Sequence, residues 1–400
     1  GISKDNISRE EFLNHAFDWK NKYGNIILDQ LKKLGCSCDW ERTRFTMEPD
    51  LSDAVIDSFI DLHDKGFIYY GTRMINWDPV GKTALSDEEV NHEEQQAQLY
   101  YINYPLSESN ESIQIATTRP ETIMGDTAIC VHPTDDRYKH LIGKSCLVPL
   151  VNRPIPIIAD DYIDIEFGTG ALKVTPAHDF NDYELGKRHK LASIDCFNDD
   201  GTLSEAAQIF IGEDRFKARK LVVSELDKLG SLIKTEQIVN KVGKSERTKA
   251  VVEPRLSAQW FIDMKKFMDE HPESLSDVMN DKIQFHPAKF KNTYRHWLEN
   301  IKDWCISRQL WWGHRIPAWY TPEGTPIIAR TAEEAFKKSN NSEWTISDLK
   351  QDEDVLDTWF SSWLWPISVF DGFKSESQKE LDYYYPTSDL VTAPDIIFFW

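Results

Sequence analysis

The first part of the chain carries apolar positions at helical spacing. Ser8 and Glu11 stand three residues apart, as in a capping box, and apolar side chains then recur every three or four residues up to Gly35. A second helical run stops at Gly66, where a glycine can end a helix. These patterns predict helices joined by short connections, so we expect residues 1–109 to be of α/β character.

From about residue 99 the pattern changes to short apolar runs rich in β-branched and aromatic residues. Turn residues separate these runs, which predict strands at 99–102, 113–116, 127–131, 146–148, 156–158 and 171–175. Helical patterns near 180–190 and 213–229 accompany them. Several short strands at close spacing are typical of a barrel or a sandwich. We therefore predict that residues 110–255 form an inserted β-barrel-like domain with helices laid over it.

Mixed α/β character returns after Val251, so residues 256–400 are predicted to belong with the opening part of the chain. A short apolar run predicts a strand at 389–392. The sequence stops within the apolar run 396–400, without a capping residue or a polar tail. Natural chain ends are usually polar and loosely held, and we therefore expect this chain to be an internal segment of a longer protein.

Composition and charge restrict the class of protein. Apolar residues make up 40% and charged residues 28% of the chain, which is the ordinary globular range. The six cysteines include no C-x-x-C pair, and no apolar run approaches the ~18 residues that span a bilayer. We expect a cytoplasmic monomer. The net charge of -20 argues against general affinity for nucleic acids, so such a partner would have to bind local basic patches.

The segment Ala-Thr-Thr-Arg-Pro-Glu-Thr at 116–122 follows a predicted strand and gathers three hydroxyls, a guanidinium and a carboxylate. Pro120 disfavours helical backbone geometry at Arg119, so the segment should form a loop. Such a loop can line a polar pocket with Thr118, Arg119 and Thr122. The alternative is a solvated turn in which a threonine caps the next element.

A second polar motif begins where a glycine-rich turn leads into a predicted strand. Lys173 and Thr175 share one face of that strand, because side chains alternate along it. A helix is predicted to begin near His178, with Asp179 and Asp182 on one face of its first turn. The set is either a functional cluster or helix capping with a surface ion pair to Lys173. His178 has no second histidine at ligand spacing, so we predict no metal site.

Two segments of the C-terminal third admit both a structural and a functional interpretation. Residues 303–317 are dense in tryptophan and can form an apolar ligand pocket or an aromatic core layer. Cys305 within them has no histidine at triad spacing, and we interpret it as a small buried side chain. The acids at 352–357 suggest a metal cage, but a solvated acidic turn before a buried Trp-Phe pair is the preferred interpretation.

Several motifs, taken together and in this order, resemble the class I aminoacyl-tRNA synthetases of the valine, isoleucine and leucine group over nearly the whole chain. They are Gln-Leu-Lys-Lys-Leu-Gly at 30–35, Asp-Trp-Glu-Arg at 39–42, Ile-Asn-Trp at 75–77, Thr-Thr-Arg-Pro-Glu-Thr at 117–122, Thr-Pro-Ala-His-Asp-Phe-Asn-Asp-Tyr at 175–183, the Trp-rich run at 304–320 and Asp-Ile-Ile-Phe-Phe-Trp at 395–400. The stretches 308–313 and 395–400 are similar to the valine-specific members.

This resemblance implies a partial Rossmann-type catalytic domain that is interrupted by an editing domain. It assigns residues 1–109 and 256–400 to the catalytic domain and residues 110–255 to the editing domain. The full enzyme would use ATP and Mg²⁺ to attach valine to tRNA(Val). The inserted domain would hydrolyse threonyl-tRNA(Val), in which threonine is attached by mistake. No zinc and no membrane partner are expected.

The resemblance also implies roles for individual residues. Asp182 would hold the ammonium group of the misattached amino acid, and Lys173 would stabilise the oxyanion as water attacks the ester. Asp179 completes the catalytic candidates. The other editing contacts would come from Thr118, Arg119, Thr122, Phe167 and Thr175. On the synthetic side, valine and its adenylate would contact Trp312, Asp395, Ile396 and Trp400.

The sequence departs from this family in three places. The His-Ile-Gly-His-type and Lys-Met-Ser-Lys-Ser-type ATP-binding signatures are missing, as expected of an internal segment, so this chain alone should not activate valine. Residues 78–81 and 243–246 stand where many relatives carry Cys pairs, and Thr-Ala-Pro-Asp at 392–395 replaces Thr-Gly-Phe-Asp. A non-catalytic tRNA-binding module, an isoleucine-type segment and a metal-dependent hydrolase built on 352–357 stay open as alternatives.

Overall fold

The computed structural model describes residues 6–371, 373–374 and 378–397, without the side chains of Gln378 and Asp395. The chain forms two compact units, one made of Gly1–Gly71 with Gln259–Trp400 and the other of Thr72–Ala258. It passes between them inside the strands Ile68–Asp78 and Glu253–Ile262. Helices and sheets occur in both units, which confirms the prediction of an α/β protein. The predicted insert 110–255 lies within the second unit.

The first unit contains more helix than strand. Its α-helices are Arg9–Tyr23, Ile26–Lys33, Pro49–Asp64, Met264–Glu270, Glu273–Met279, Phe290–Glu299, Ala332–Ser339, Thr358–Ser362, Trp365–Ser368 and Gln378–Tyr384. Its short antiparallel strand pairs are Ala318–Tyr320 with both Pro326–Ile328 and Lys350–Gln351, Ser307–Arg308 with Val355–Leu356, and Trp304–Cys305 with the end of Glu253–Ile262. Buried aromatic side chains of Phe59, Trp260 and Phe360 pack together at its core.

Local sequence signals set several helix ends of this unit. The Ser8 hydroxyl accepts from the Glu11 backbone N–H at 3.2 Å and Glu11 accepts from the Ser8 N–H at 2.8 Å, which confirms the capping box at the start of Arg9–Tyr23. Gly35 and Gly66 have φ of 79° and 74°, and each ends a helical stretch as predicted. The predicted strand at 389–392 is wrong, because these residues are irregular and have no strand partner in the described part of the chain.

Two sheets make up most of the second unit, and strand Thr83–Leu85 pairs with the end of Ile68–Asp78. Ser112–Thr117, Val90–Pro105 and Leu232–Ser245 form an antiparallel sheet in that order. A second sheet has the order Ser145–Leu147, Pro154–Ala159, Ala128–Val131 and Ala171–Val174, and its two middle strands are parallel. Both sheets are open in the described residues, so the predicted barrel-like domain is not confirmed. The α-helices of this unit are Phe180–His189 and Arg215–Lys228.

The core of the second unit follows from strand alternation. Ile102 and Tyr104 on one strand face the same side as Ile113 and Ile115 on its neighbour, and all four side chains are fully buried. They belong to one hydrophobic cluster with residues of the second sheet and of helix Arg215–Lys228. This core supports the chain just after Thr117, where the candidate functional residues begin.

A buried carboxylate joins the loop at 78–81 to the loop at 245–248. Asp78 accepts hydrogen bonds from the backbone N–H groups of Val80 and Gly81, at 3.0 and 2.9 Å. It also accepts from the hydroxyls of Ser245 and Thr248, at 2.6 and 2.7 Å. The described residues contain no group of three or more His, Cys, Asp or Glu arranged to hold a metal ion. Hydrogen bonds therefore connect these loops.

No helix in the described ranges combines the length and the apolar character required to cross a bilayer.

Candidate functional site

Arg119 and the turn that follows it lie at the end of strand Ser112–Thr117. Residues Pro120–Gly125 form a 3-10 turn, and all of them are buried. The Thr122 backbone N–H and hydroxyl both donate to the Arg119 carbonyl, at 3.1 and 3.0 Å. The alternative of a solvated turn is therefore wrong, because the turn is enclosed and its polar groups point to other protein atoms.

Lys173 is the centre of a buried polar cluster that consists of Thr122, Asp126, Lys173, Thr175 and Asp182. Its ammonium group donates to Thr122 Oγ1 at 2.9 Å, to Asp126 Oδ1 at 3.1 Å and to Thr175 Oγ1 at 2.5 Å. A lysine has three N–H donors, so each of them has a partner. The alternative of a surface ion pair is wrong, because Lys173 is only 7% exposed.

Asp126 is the member of the polar cluster that the sequence analysis missed. It is fully buried and accepts hydrogen bonds from the hydroxyls of Tyr104 and Thr175, each at 2.6 Å. Burial raises the pKa of Asp126, and the Lys173 ammonium opposes that shift. The only sequence signal is an acid placed between a buried turn and the strand Ala128–Val131. Asp126 offsets the positive charge of Lys173 and helps to fix the orientation of the Lys173 side chain.

Asp182 enters the polar cluster from the first turn of helix Phe180–His189. Asp179 caps this helix, accepting from the N–H groups of Asn181 and Asp182 at 2.8 and 3.1 Å. Asp182 Oδ2 accepts from the Thr175 N–H at 2.8 Å, and its Oδ1 has no hydrogen-bond partner among the described residues. Burial and the neighbouring Asp179 charge raise the pKa of Asp182 to about 7. A cationic ligand would favour its ionised form.

Arg119 is connected to both polar motifs. Its carbonyl accepts from Thr122, and its Nη1 donates to the His178 carbonyl at 3.1 Å, just before helix Phe180–His189. A chain of direct hydrogen bonds thus links Arg119 to Asp182 through Thr122, Lys173 and Thr175. The fold therefore brings these five candidates together, although they come from two segments separated by about fifty residues.

His178 has the structural role that its isolation in the sequence indicates. Its Nε2 accepts from the Cys196 backbone N–H at 2.9 Å, and its ring packs edge-on against Phe197. Burial lowers the pKa of His178 well below its usual value. Nδ1 has no hydrogen-bond partner among the residues that the structure describes, and it lies 3.8 Å from Glu253 Oε1. A neutral imidazole whose accepting nitrogen is occupied is not placed to act as a base.

Two editing candidates stand apart from the hydrogen-bonded set. Thr118 is half-buried, and its side chain makes no hydrogen bond within the described ranges. Phe167 is 77% exposed and belongs to a turn that ends at Gly170. Gly170 has φ of 73°, which side chains rarely adopt, and a Cβ there would approach the Ile165 carbonyl oxygen to 3.0 Å, so this turn favours glycine. An exposed ring at 167 is free to contact a ligand.

The candidates for the valine site lie in the first unit. Trp312 packs against Phe17 and Phe45, with ring centroids 5.1 and 6.2 Å away. Ile396 is half-buried in the 3-10 turn Pro394–Ile396. Trp400 and the side chain of Asp395 lie outside the described residues. The structure therefore gives no common site for these four residues.

The acidic segment at 352–357 is not a solvated turn, which corrects the prediction. Asp352 is buried and accepts from Trp260 Nε1 at 2.9 Å and from the Tyr320 hydroxyl at 2.8 Å. Asp357 is buried against Arg308 Nη2 at 2.5 Å and caps the next helix. These acids satisfy internal donors of the first unit. A metal-dependent hydrolase built on them has no support from this arrangement.

The buried thiols are poor nucleophiles. Burial raises the pKa of Cys130, of Cys146 and of Cys196 to about 12 in each case. Cys305 is also buried, as interpreted from the sequence, and burial raises its pKa. The reactive form of cysteine is the thiolate, so none of these four side chains is activated for covalent catalysis.

Comparisons with known proteins identify the family over the whole chain. The family model for class I tRNA synthetases (I, L, M and V) matches residues 2–400. Valine–tRNA ligases of Bacteroides thetaiotaomicron and Parabacteroides distasonis are 60% and 59% identical to this chain over its full length. The valine–tRNA ligase of Fusobacterium nucleatum is 52% identical, again over the whole chain. The chain spans 46% of the length of the first two relatives and 44% of the third.

One solved structure, the ternary complex of Agrobacterium radiobacter K84 agnB2 LeuRS with tRNA and LeuAMS, aligns with 87% of this chain and 48% of its own. The TM-score is 0.32 and the identity 16%, and a likeness of this size carries no weight. The family match and the identities decide the assignment. The chain belongs to the class I tRNA synthetases of the isoleucine, leucine, methionine and valine family, and over its whole length it is similar to the valine–tRNA ligases.

Proposed function

We propose that this chain is part of an enzyme that attaches valine to tRNA(Val), and that its second unit hydrolyses threonyl-tRNA(Val). The first half of the proposal is supported by relatives named valine–tRNA ligase. In the whole protein this reaction would consume ATP with Mg²⁺, and Trp312, Asp395, Ile396 and Trp400 are the proposed contacts of valine and its adenylate. The second half depends on the polar cluster.

A hydrolytic site is needed because a single apolar pocket separates threonine from valine poorly. Threonine and valine have nearly the same shape, and an apolar pocket rejects the added hydroxyl only ~10²-fold, for which valine-specific synthetases are themselves the general example. A second site must therefore prefer the hydroxyl. It can do so by placing polar groups that lose hydrogen bonds when the valine methyl enters instead.

The observation that carries the proposal is the buried polar cluster. Thr122 and Thr175 present hydroxyls beside Lys173, and Asp182 Oδ1 is not engaged by other described residues. A threonine hydroxyl could exchange hydrogen bonds with these groups, whereas a methyl would leave them unpaired. Arg119 and the exposed Phe167 are the proposed contacts of the terminal adenosine, with Thr118 and Asp179 at the border of the site.

The proposed mechanism is direct attack of water on the ester. Asp182 in its ionised form binds the ammonium group of the amino acid. All three Lys173 N–H groups already have acceptors, so none of them is left for the oxyanion. Lys173 stabilises the developing oxyanion by its charge rather than by a free N–H, and it holds the Thr122 and Thr175 hydroxyls in place. The cysteines of this unit are buried with raised pKa values, so none of them is proposed as a nucleophile.

The proposed editing domain comprises residues 110–255 within the unit Thr72–Ala258. Both polar motifs and the helices Phe180–His189 and Arg215–Lys228 lie inside these limits. The strand Val90–Pro105 precedes them and is the middle strand of the antiparallel sheet. We propose that it acts as a structural support of this domain.

Hydrolysis of threonyl-tRNA(Val) compared with valyl-tRNA(Val) tests the proposal. The chain should release threonine and spare valine, and D182A should lower threonine release by about 100-fold or more, because a buried charge-assisted contact to the substrate is lost. D227A removes an exposed acid from the same unit and should leave the rate unchanged. No release of threonine by the unmodified protein would favour a non-catalytic tRNA-binding module.

A further inference from the structure

Arg119 belongs to a network of five charged side chains that is distinct from the polar cluster. The network consists of Arg119, Glu121, Arg215, Arg219 and Glu253. Glu121 is fully buried and Glu253 is nearly so, and each carboxylate contacts two guanidinium groups. Three positive charges face two negative ones, so the network keeps one excess positive charge.

The two glutamates differ in how closely they contact Arg119. Glu121 accepts two hydrogen bonds from Arg219, at 2.8 and 2.7 Å, and only a longer one of 3.2 Å from Arg119 Nε. Glu253 Oε1 accepts from Arg119 Nη2 at 2.5 Å, while its Oε2 accepts from Arg215 Nη1 at 2.6 Å. Arg215 also donates to the Val251 carbonyl. Glu253 is thus the shorter contact of Arg119, and it is itself fixed by Arg215.

These contacts determine which N–H groups of Arg119 are left for a ligand. A guanidinium has five N–H donors in one plane. Glu121, His178 and Glu253 accept from one each on Nε, Nη1 and Nη2, so two donors are not used by these partners. The Arg119 side chain is 27% exposed. Because the group is planar, fixing three donors also fixes the direction of the other two.

We propose that Glu253 is a positioning residue, which orients the Arg119 guanidinium so that its two remaining N–H donors meet an anionic or carbonyl oxygen of the substrate. This inference deepens the proposed function and rests on it. Glu253 does not touch the substrate, and it acts only through Arg119. Its carboxylate lies more than one hundred residues along the chain from the Arg119 loop, so folding of the whole unit is needed to complete the site.

The test compares E253Q with E253D in the hydrolysis of threonyl-tRNA(Val). E253Q keeps the size of the side chain but not its charge, so Arg119 should lose its fixed direction. We expect kcat/KM to fall by about 10- to 100-fold, mainly through KM, since small displacements of a positioning group have effects of this size. E253D keeps the charge and should recover part of the loss. Activity of E253Q equal to that of the unmodified protein would overturn the proposal.

A double-mutant cycle separates positioning from a general loss of stability. If Glu253 acts through Arg119, E253Q should lower kcat/KM little further once R119K is present, whereas independent effects would multiply. Multiplying effects would overturn the proposal. D78N alters a buried carboxylate whose hydrogen bonds go to Val80, Gly81, Ser245 and Thr248 and not to this network. It is the matched control and should leave kcat/KM unchanged even where it lowers the melting temperature.

A readout without substrate keeps this inference separate from the proposed function. NMR signals of the Arg119 side-chain N–H groups, assigned with R119K, should be sharp in the unmodified protein and broad or shifted in E253Q. If the unmodified protein does not release threonine, the proposed function fails while this measurement still tests the contact. Identical Arg119 signals in the two proteins would overturn the positioning role.

Discussion

Asp182 is a carboxyl group whose ionised form is disfavoured by its position in the folded protein. It is buried beside the Asp179 charge, and its pKa of about 7 records the cost of its ionised form. A buried acid of this kind is typical of functional sites, where ligands supply the missing charge. The helix start alone does not require it, because Asp179 already caps Phe180–His189.

The pH dependence of stability should show this cost. In the unfolded chain Asp182 ionises near its ordinary pKa, but in the folded protein it ionises only near pH 7. The contribution of Asp182 to the free energy of unfolding therefore falls as the pH rises between these two pKa values, and it stays constant at higher pH. D182N cannot ionise. Its free energy of unfolding relative to the unmodified protein should therefore increase from pH 5 to pH 8, by about 2 to 4 kcal/mol, since a tenfold change in proton affinity is ~1.4 kcal/mol.

Chemical unfolding of both proteins at pH 5, 6, 7 and 8 measures this difference, with D227N as the exposed control. A difference that stays constant with pH, or that shrinks as pH rises, would contradict the raised pKa.

Single residues show where sequence reasoning succeeds and fails. Strand alternation was sufficient to place Lys173 and Thr175 on one face. Asp126 and Glu253 were missed because their partners are distant along the chain and no local pattern marks them. The acids at 352–357 were misplaced for the same reason, since the indole and guanidinium donors that bury them come from other elements.

At the scale of elements, capping residues and glycines predicted helix ends well, while sheet closure was not predictable from strand spacing. Pairing order decides closure, and it depends on contacts between remote strands. The connection between the loops at 78–81 and 245–248 is another feature that the sequence did not reveal. One carboxylate accepts four hydrogen bonds and thereby holds both loops at the start of the ribbon formed by Val90–Pro105 and Leu232–Ser245.

Replacing this carboxylate should weaken the second unit. D78N keeps one acceptor oxygen but turns an amide towards two hydroxyl donors, so we expect the free energy of unfolding to fall by about 1 to 3 kcal/mol. Thermal unfolding with and without excess chelator gives the comparison. Chelator should not change the melting temperature of the unmodified protein, and a lower value in its presence would indicate a metal ion at these loops.

At the scale of the whole molecule, the chain divides into units that each keep their own core. The hydrophobic cluster around Ile102 and Ile115, the polar cluster and the arginine–glutamate network all lie within Thr72–Ala258. The sequence-based limits 110–255 begin after strand Val90–Pro105, because the change of pattern at residue 99 marks only its second half. The exposed first half of that strand lacks the apolar alternation that sequence analysis relies on.

Excised segments should show whether the limits 72–258 or the limits 110–255 describe the folding unit. Residues 72–258 alone should fold cooperatively, since they contain the three-stranded sheet and the four-stranded sheet around Pro154–Ala159 in full. Residues 110–255 lack the middle strand of the antiparallel sheet, so Ser112–Thr117 and Leu232–Ser245 would have no common neighbour. Near-ultraviolet circular dichroism and thermal melting distinguish the outcomes. A cooperative transition in the shorter segment would show that the strand Val90–Pro105 is dispensable.

The free carboxyl oxygen of Asp182 has a consequence for the solvent. Burial and the neighbouring Asp179 charge favour a proton on this carboxyl group up to about neutral pH. If the proposed ammonium group of an aminoacyl end binds there, it favours loss of that proton, so binding and protonation compete. Lowering the pH below neutrality should therefore weaken binding of that ammonium group.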